Sequence, residues 1–288
     1  MSYLEQINQA IDYIERHLFD PLNIEEISQT LGISKWVFQR IFRGMVGDTV
    51  KEYISKRRLS YAAQALLDSK AKVIDVAFAH GFESHEVFLR AFKRDFGVTP
   101  STFRAATQPK GLPAKKLKIT AEYLTHLYQG ITMEPTLIQS SEKQLIGRAG
   151  QIKPVLEFYE DNQTVVSQLW QNFREFRSSL PEYHGSEKVG LITEQGGTLE
   201  YCAGVELSLP GALPEGFVSR TIPAGEYAEF THQHTACQNS INHTYHYIYG
   251  SWLPKSGREA SGGPEVVVYP IDFHPGQDAQ LKIRVPLK

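Results

Sequence analysis

No stretch of this chain reaches the roughly 20 consecutive apolar residues that a membrane span needs, and no proline falls between Pro21 and Pro100. The first absence argues against a membrane protein. The second leaves nearly eighty residues free of the residue that most strongly breaks helices. Only two cysteines are present, Cys202 and Cys237, too few to staple a secreted fold of 288 residues, so both read as reduced thiols. The first twenty residues place Glu5, Asp12, Glu15 and Arg16 within their apolar pattern, unlike a secretory leader, and a cytoplasmic protein is the expectation. There is no glycine-rich phosphate loop and no Gly-x-Ser-x-Gly elbow, so neither a nucleotide hydrolase nor a serine hydrolase is suggested. No catalytic residue and no cofactor is assigned. His232, His234, His243 and His246 gather around Cys237, but their mixed spacing without a cysteine pair does not make a metal site.

The length suits two cores better than one. Net charge is near zero, yet it is unevenly spread. Residues 1–34 carry one basic residue against six acids, residues 35–110 fourteen against seven, and residues 111–288 fifteen against nineteen. The basic block in the middle would attract a polyanion by counterion release.

In the first hundred residues apolar side chains recur three and four apart, as in Ile7, Ile11, Ile14 and Leu18, which reads as consecutive helices. A repeat at an offset of fifty residues runs through this region. It pairs Ile24 with Ile74, Ser34 with Ser84, Val37 with Val87, Arg40 with Arg90, Phe42 with Phe92, Arg43 with Lys93 and Gly47 with Gly97. Each copy reads as a short helix, a turn glycine (Gly32, Gly81) and a second helix capped by serine, the grammar of a helix-turn-helix. In the first copy Val37, Ile41 and Met45 form the expected inward side. Trp36, Gln39, Arg40 and Arg43 form the outward stripe that would face a DNA groove. Arg40 suits guanine O6 and N7, Gln39 suits adenine, and Arg43 and Lys35 suit phosphate. In the second copy the inward side is expected at Val87, Ala91 and Phe96. The outward stripe there is Glu86, Leu89, Arg90 and Lys93 with His85 at its edge, poorer in polar readers, so the first copy should dominate base specificity.

The run Ser34-Lys35-Trp36-Val37-Phe38-Gln39-Arg40-Ile41-Phe42, the motif Arg57-Arg58-Leu59 and the segment from Gly81-Phe82-Glu83-Ser84 to Thr99-Pro100 resemble the AraC/XylS family of transcription regulators. Within it they are most similar to the branch of MarA, SoxS and Rob. The resemblance covers residues 5–107. It implies two units on a connecting helix near Val50–Asp68, placed in successive major grooves of double-stranded DNA and bound as a monomer. It also implies activation through RNA polymerase, and Arg57 on the connecting helix joins the expected DNA contacts.

Thr107-Gln108-Pro109-Lys110-Gly111-Leu112-Pro113-Ala114-Lys115-Lys116 has the composition of a linker. The expected organisation is therefore a DNA-binding domain over 1–107, a linker and lead-in over 108–132, and a second domain over 133–288. In the latter, short β-type runs at Leu145–Gly147, Val189–Thr193, Tyr201–Leu209, Val218–Ile222, Glu226–Thr231, Val266–Tyr269 and Leu281–Val285 alternate with helices near Val155–Ser178 and His234–Trp252. Strand, helix and strands occur twice, which suggests a pseudo-duplicated α+β domain behind an all-α one. The segments Tyr201–Glu206, Ile222–Thr231 and Tyr247–Gly257 resemble the GyrI-like effector-binding domain also found in regulators of the BmrR and Rob type.

That second resemblance implies an aromatic-lined site for a hydrophobic, often cationic small molecule. Trp170, Tyr201, Tyr227, Tyr247, Trp252 and Tyr269 are the expected lining, with Phe217, Phe230 and Phe273 as further aromatics. The carboxylate that relatives place on the late strand aligns with Val267; a cation remains possible if Glu265, on the same face by strand alternation, or Glu206 serves instead, and without such an acid the preference shifts to neutral or weakly polar ligands. Two alternatives attach to the domain: a protein-interaction or sequestration module, and a hydrolase of reactive small molecules using Tyr227 with Glu206 or Glu265.

Overall fold

The structure, a computed structural model, describes residues 1–68, 70–105, 118–120, 133–153, 159–177, 187–195, 198–207, 213, 215–234, 241–273 and 278–288. It divides into two compact units, Met1–Thr125 and His126–Lys288. The expected linker Thr107–Lys116, Cys237 and both ends of the helix expected near Val155–Ser178 lie outside the described residues. Among the described residues no helix is long and apolar enough to cross a membrane, and none of their His, Cys, Asp and Glu side chains form a metal-holding group.

The first unit has seven helices among its described residues: α1 (Tyr3–Arg16), α2 (Ile24–Thr30), α3 (Lys35–Val46), α4 (Val50–Asp68), α5 (Val73–Ala79), α6 (His85–Phe96) and α7 (Pro100–Ala105). Short polar signals start them. The Ser2 hydroxyl and the Glu5 carboxylate cap each other's backbone amides at α1, and Asn23 accepts from Glu25 N at α2. The repeated serines behave alike, Ser34 accepting from Val37 N at 3.3 Å and Ser84 from Val87 N at 3.2 Å. Both second helices end on a left-handed glycine, Gly47 at φ 85° and Gly97 at φ 74°.

Two cores result. Ile7, Ile11 and Ile14 of α1 are buried, as are Ile27, Phe38, Ile41, Phe42 and Met45. Around the second copy, Leu59, Ala62, Ala63 and Leu66 of α4 close over Val76, Ala77, Phe82, Phe88, Phe92 and Phe103. Here one expectation is corrected. The inward pair of α6 is Phe88 and Phe92, with Ala91 and Phe96 packed beside it, whereas Val87 is 43% exposed. Val37 and Phe38 are both buried in α3, so the fifty-residue alignment could not tell which of the matching neighbours turns inward in the more open α6.

The second unit is one antiparallel sheet of β1 (Thr136–Ser140), β2 (Lys143–Ile152), β3 (Lys188–Gln195), β4 (Thr198–Glu206), β5 (Val218–Ile222), β6 (Gly225–His234), β7 (Glu265–Tyr269) and β8 (Ala279–Pro286). Helix α8 (Tyr159–Arg177) follows β2 and α9 (Ile241–Tyr247) follows β6. A π-helical turn, Ile248–Trp252, then runs into α10 (Leu253–Ser256). The strand order β1-β6-β8-β7-β3-β4-β2-β5 exposes the duplication. Strand, helix and two strands form one half (β2, α8, β3, β4) and again the other (β6, α9, β7, β8). The halves join at β3 and β7, and each lends its leading strand to the other's edge, β1 onto β6 and β5 onto β2.

The strands at both ends of the order contribute to the same cluster as the central ones. Ile138 of β1 and Val218 and Ile222 of β5 pack with Leu145, Val189, Leu191, Cys202, Tyr227, Val266 and Val268. The sheet therefore curls into a half-barrel with this cluster inside the curl. Burial there pushes the Cys202 thiol up to about 12, and since the thiolate is the nucleophile, Cys202 should resist a neutral alkylating reagent at pH 8. In a Cys237→Ser background, mass spectrometry of the folded chain should find no adduct until denaturant is added.

Candidate functional site

Two regions hold the residues singled out above: the outer faces of α3 and α6, and the sheet face that carries α8 and the π-helical turn.

On α6 the outward stripe stands as expected. Glu86, Arg90 and Lys93 are exposed and His85 is half-buried, while Leu89 leans onto the core. The backbone amide of Glu86 and the Ser84 hydroxyl hold the Glu86 carboxyl below its usual range, so an anion sits at the helix start. On α3 the stripe is more closed. Lys35, Gln39 and Arg43 are half-buried, and two of them are ion-paired, Lys35 with Glu25 at 3.4 Å and Arg43 with Glu52 at 3.1 Å.

Trp36 and Arg40, expected to project outward, are only 8% and 3% exposed. The Arg40 guanidinium lies 4.1 Å from the centre of the Trp36 ring. One turn apart on the helix, the flat cation lies against the indole, a pairing that helical spacing alone could not distinguish from two free readers.

Arg57 is a plain correction. Its Nε donates to Glu15 Oε1 at 2.6 Å and its Nη2 to Glu15 Oε2 at 3.0 Å, while the Tyr53 hydroxyl also donates to Glu15 at 2.8 Å. Arg57 is buried and Glu15 is half-buried, with their side chains 8% and 10% exposed. Arg57 joins α4 to α1 through this ion pair, in place of the exposed position expected of a DNA contact. The neighbouring Arg58, which carried no expected role, is occupied by three main-chain carbonyls.

In the second unit, pairing decides which side chains meet. Residues opposite one another in antiparallel strands share a face, and neighbours along a strand alternate. Tyr201 and Glu265 are both opposite Ile192, Val267 is opposite Gly190, and Tyr269 is opposite Lys188. Tyr201, Glu265, Val267 and Tyr269 therefore share one face. Helix α8 lies over it. The Trp170 indole donates to the Tyr201 hydroxyl at 3.1 Å, and the Tyr201 and Tyr269 hydroxyls are 3.0 Å apart. Trp170 and Phe273 also pack on the Tyr269 ring, with centroids 5.2 and 5.0 Å away. Gly190 makes the room, because a Cβ there would stand 2.1 Å from the Tyr201 oxygen. Burial is the main cause of a Tyr201 hydroxyl held well above its usual range.

Glu265 is 1% exposed and accepts a hydrogen bond from the Tyr249 hydroxyl. Tyr249 sits in the π-helical turn, whose wider winding changes which side chain faces the sheet. It was not among the expected site residues. Its signal, the tyrosine two places after Tyr247, is visible in the sequence only if that winding is known. Trp252, at the end of the turn, packs edge-on to Phe230 at 5.0 Å on this same face, and the Tyr247 hydroxyl accepts from Met133 N at 3.2 Å.

Two expected lining residues are elsewhere. Tyr227 belongs to the cluster inside the curl and donates its hydroxyl to Pro223 O at 2.7 Å. Glu206, opposite Leu145, shares that other face and is ion-paired with Lys143 at 2.5 Å. Strand alternation separates both from Tyr201 and puts Tyr227 on the opposite face from Glu265; Glu206 shares the face of Tyr227, with its carboxylate engaged by Lys143 and the Tyr227 hydroxyl by Pro223 O.

Two helix-turn-helix units on one connecting helix, followed by a duplicated half-barrel with a buried aromatic and acidic cluster, define a transcription regulator with a separate second domain. A helix-turn-helix domain profile matches residues 27–106, and the GyrI-like small molecule binding domain matches residues 133–288. The chain is 26% identical to the transcriptional regulator Rob of Salmonella typhimurium over 282 residues, 95% of this chain and 92% of Rob. It is 25% identical to the right origin-binding protein of Escherichia coli K12 over 280 residues, with the same shares covered. Over 104 residues, 36% of this chain and 97% of the relative, it is 39% identical to the regulatory protein SoxS of Salmonella typhimurium. It belongs to the AraC-type DNA-binding transcription regulators that carry a GyrI-like domain, and is a regulator rather than an enzyme.

Proposed function

We propose that this chain is a cytoplasmic transcription activator. It binds double-stranded DNA as a monomer, contacts RNA polymerase, and is controlled by a small hydrophobic, aromatic cation held in residues 133–288. The observation that carries the effector reading is Glu265, a carboxylate buried on the same sheet face as the Trp170–Tyr201–Tyr269 cluster and approached by the Tyr249 hydroxyl. A buried acid among aromatic rings offers a cation both charge and π-face, whereas an isolated cation in an apolar site would be costly to desolvate. Val267 needs no acid of its own in this arrangement, since Glu265 supplies one two residues earlier on the same face.

On the DNA side Arg40 reads guanine and Gln39 adenine, Trp36 packs on the groove wall, and Lys35 and Arg43 meet phosphate. From α6, Arg90 and Lys93 meet the next groove with Glu86 and His85 at its rim. Engagement of α3 requires the Trp36–Arg40 pair to unstack.

The effector reading is tested by titrating the full chain with matched cationic and neutral aromatic compounds, following tryptophan emission. The parent should prefer the cation by about tenfold or more, roughly 1.4 kcal/mol, and Glu265→Gln should abolish that preference while leaving neutral binding within about twofold. Equal affinity of the parent for both members of each pair would overturn it.

A further inference from the structure

The two helix-turn-helix units can read adjacent grooves together only if their separation and rotation are held, and α4 is not the sole element that could hold them. Arg58, near the middle of α4, spreads its guanidinium over three carbonyls. Nε donates to Leu18 O at 2.6 Å and Nη2 to Asp20 O at 2.9 Å, both in the loop that leads from α1 into the first unit. Nη1 donates to Gly81 O at 2.6 Å, in the turn of the second. Among the described hydrogen bonds no other side chain reaches carbonyls of both sides. Arg104 also grips two carbonyls, Leu66 O and Ala71 O, but these lie at the end of α4 and the approach to α5.

The surroundings are shaped to this contact. Gly81 adopts φ +76°, and a Cβ there would meet Arg58 Cζ at 2.9 Å and Phe19 O at 3.1 Å. The Phe19 ring stands edge-on to Tyr61 of α4 at 5.6 Å and to His80 at the end of α5 at 5.3 Å. The loop after α1, the middle of α4 and the turn of the second unit thus meet around one guanidinium. Arginine suits the task because its planar fork serves several acceptors at once, which an ammonium cannot match.

We propose that Arg58 is a positioning residue for DNA recognition: it locks the two helix-turn-helix units in one phase, so that the chain accepts a single half-site spacing. The proposal rests on the reading that both units bind one duplex. Helix α4 by itself is about 28 Å long at 1.5 Å per residue and sets distance, whereas the carbonyl clamp sets the rotation of the second unit about it. Each base pair inserted between half-sites moves them about 3.4 Å apart and turns them by roughly a tenth of a helical turn. A locked pair cannot follow that change, and the benefit of linked binding is lost when geometry forbids simultaneous engagement.

The test uses the full chain and a duplex that the parent selects from a randomised pool, remade with one or two base pairs added between the half-sites. The parent should lose about tenfold in affinity or more per added pair. Arg58→Met and Arg58→Lys should lose less than about threefold across the same series, with binding to a single half-site within about twofold of the parent. A folded variant that keeps the parent's spacing penalty overturns the proposal, and so does a parent that accepts all spacings within about threefold. If Arg58→Met does not fold, Arg58→Lys decides. Loss of the helical unit in both variants also overturns it, because Arg58 would then hold the fold and not the phase. Failure of the parent to select any duplex would instead sink the DNA-binding reading on which the proposal rests.

Discussion

Glu15→Ala is expected to destabilise the first unit by about 3–5 kcal/mol, because it leaves the buried Arg57 guanidinium without its carboxylate. In a unit of this size that lowers its melting temperature by roughly 10–20 °C, measurable by circular dichroism on the full chain as early loss of helix. The cost comes from stranding a charge and not from losing an especially favourable pair. Glu15→Leu combined with Arg57→Met should therefore recover most of the stability, since apolar side chains of similar volume commonly replace a buried ion pair without penalty. The same double variant separates the two roles considered for Arg57. If Arg57 bound phosphate, its replacement would reduce the slope of log affinity against log salt by about 1. An unchanged slope is expected, and a reduced one would restore Arg57 to the DNA surface.

Arg40→Ala and Lys93→Ala should both weaken DNA binding, in different ways. Removing a bidentate hydrogen bond to guanine costs about 1–3 kcal/mol at one base pair, roughly 5- to 150-fold, and relaxes preference there while other positions keep theirs. Removing a phosphate ligand weakens binding to all sequences alike and lowers the salt slope by about 1. Affinities across single-base operator variants at two salt concentrations distinguish these outcomes. A uniform loss from Arg40→Ala, or an Arg90→Ala variant that relaxes base preference as much as Arg40→Ala, would overturn the assignment of specificity to α3. Because Arg40 lies against Trp36, Trp36→Ala should also alter Arg40-dependent base preference, although phosphate affinity should be largely kept.

Local rules accounted for the helices well. Ser34 and Ser84 cap where a serine before an apolar run should, and Gly47 and Gly97 close their helices in the left-handed conformation. Most strands were also legible from alternation, β5 to its ends at Val218–Ile222. Strand β1 was not. It is a half-exposed edge whose partner β6 lies some ninety residues away, so nothing near Thr136–Ser140 announces it. The second tandem helix showed the limit of repeat arithmetic, because α3 buries Val37 and Phe38 alike while α6 buries only Phe88 of the matching pair.

The amino-acid sequence determined the duplication of the helical unit, its caps and turns, the basic block, and a strand-rich second half with one acid near Val267. These depend on spacing of a few residues along the chain. Tertiary structure alone decided that Arg57 belongs to Glu15, that Arg58 joins the loop after α1 to the turn at Gly81, that the Arg40 guanidinium lies against Trp36, and that Tyr227 and Glu206 lie on the other face while Tyr249 reaches Glu265. The reason is that alternation and helical period say which side chains share a face, but not what that face meets; the partner arrives from strands and helices far away in the chain, and only packing brings it there.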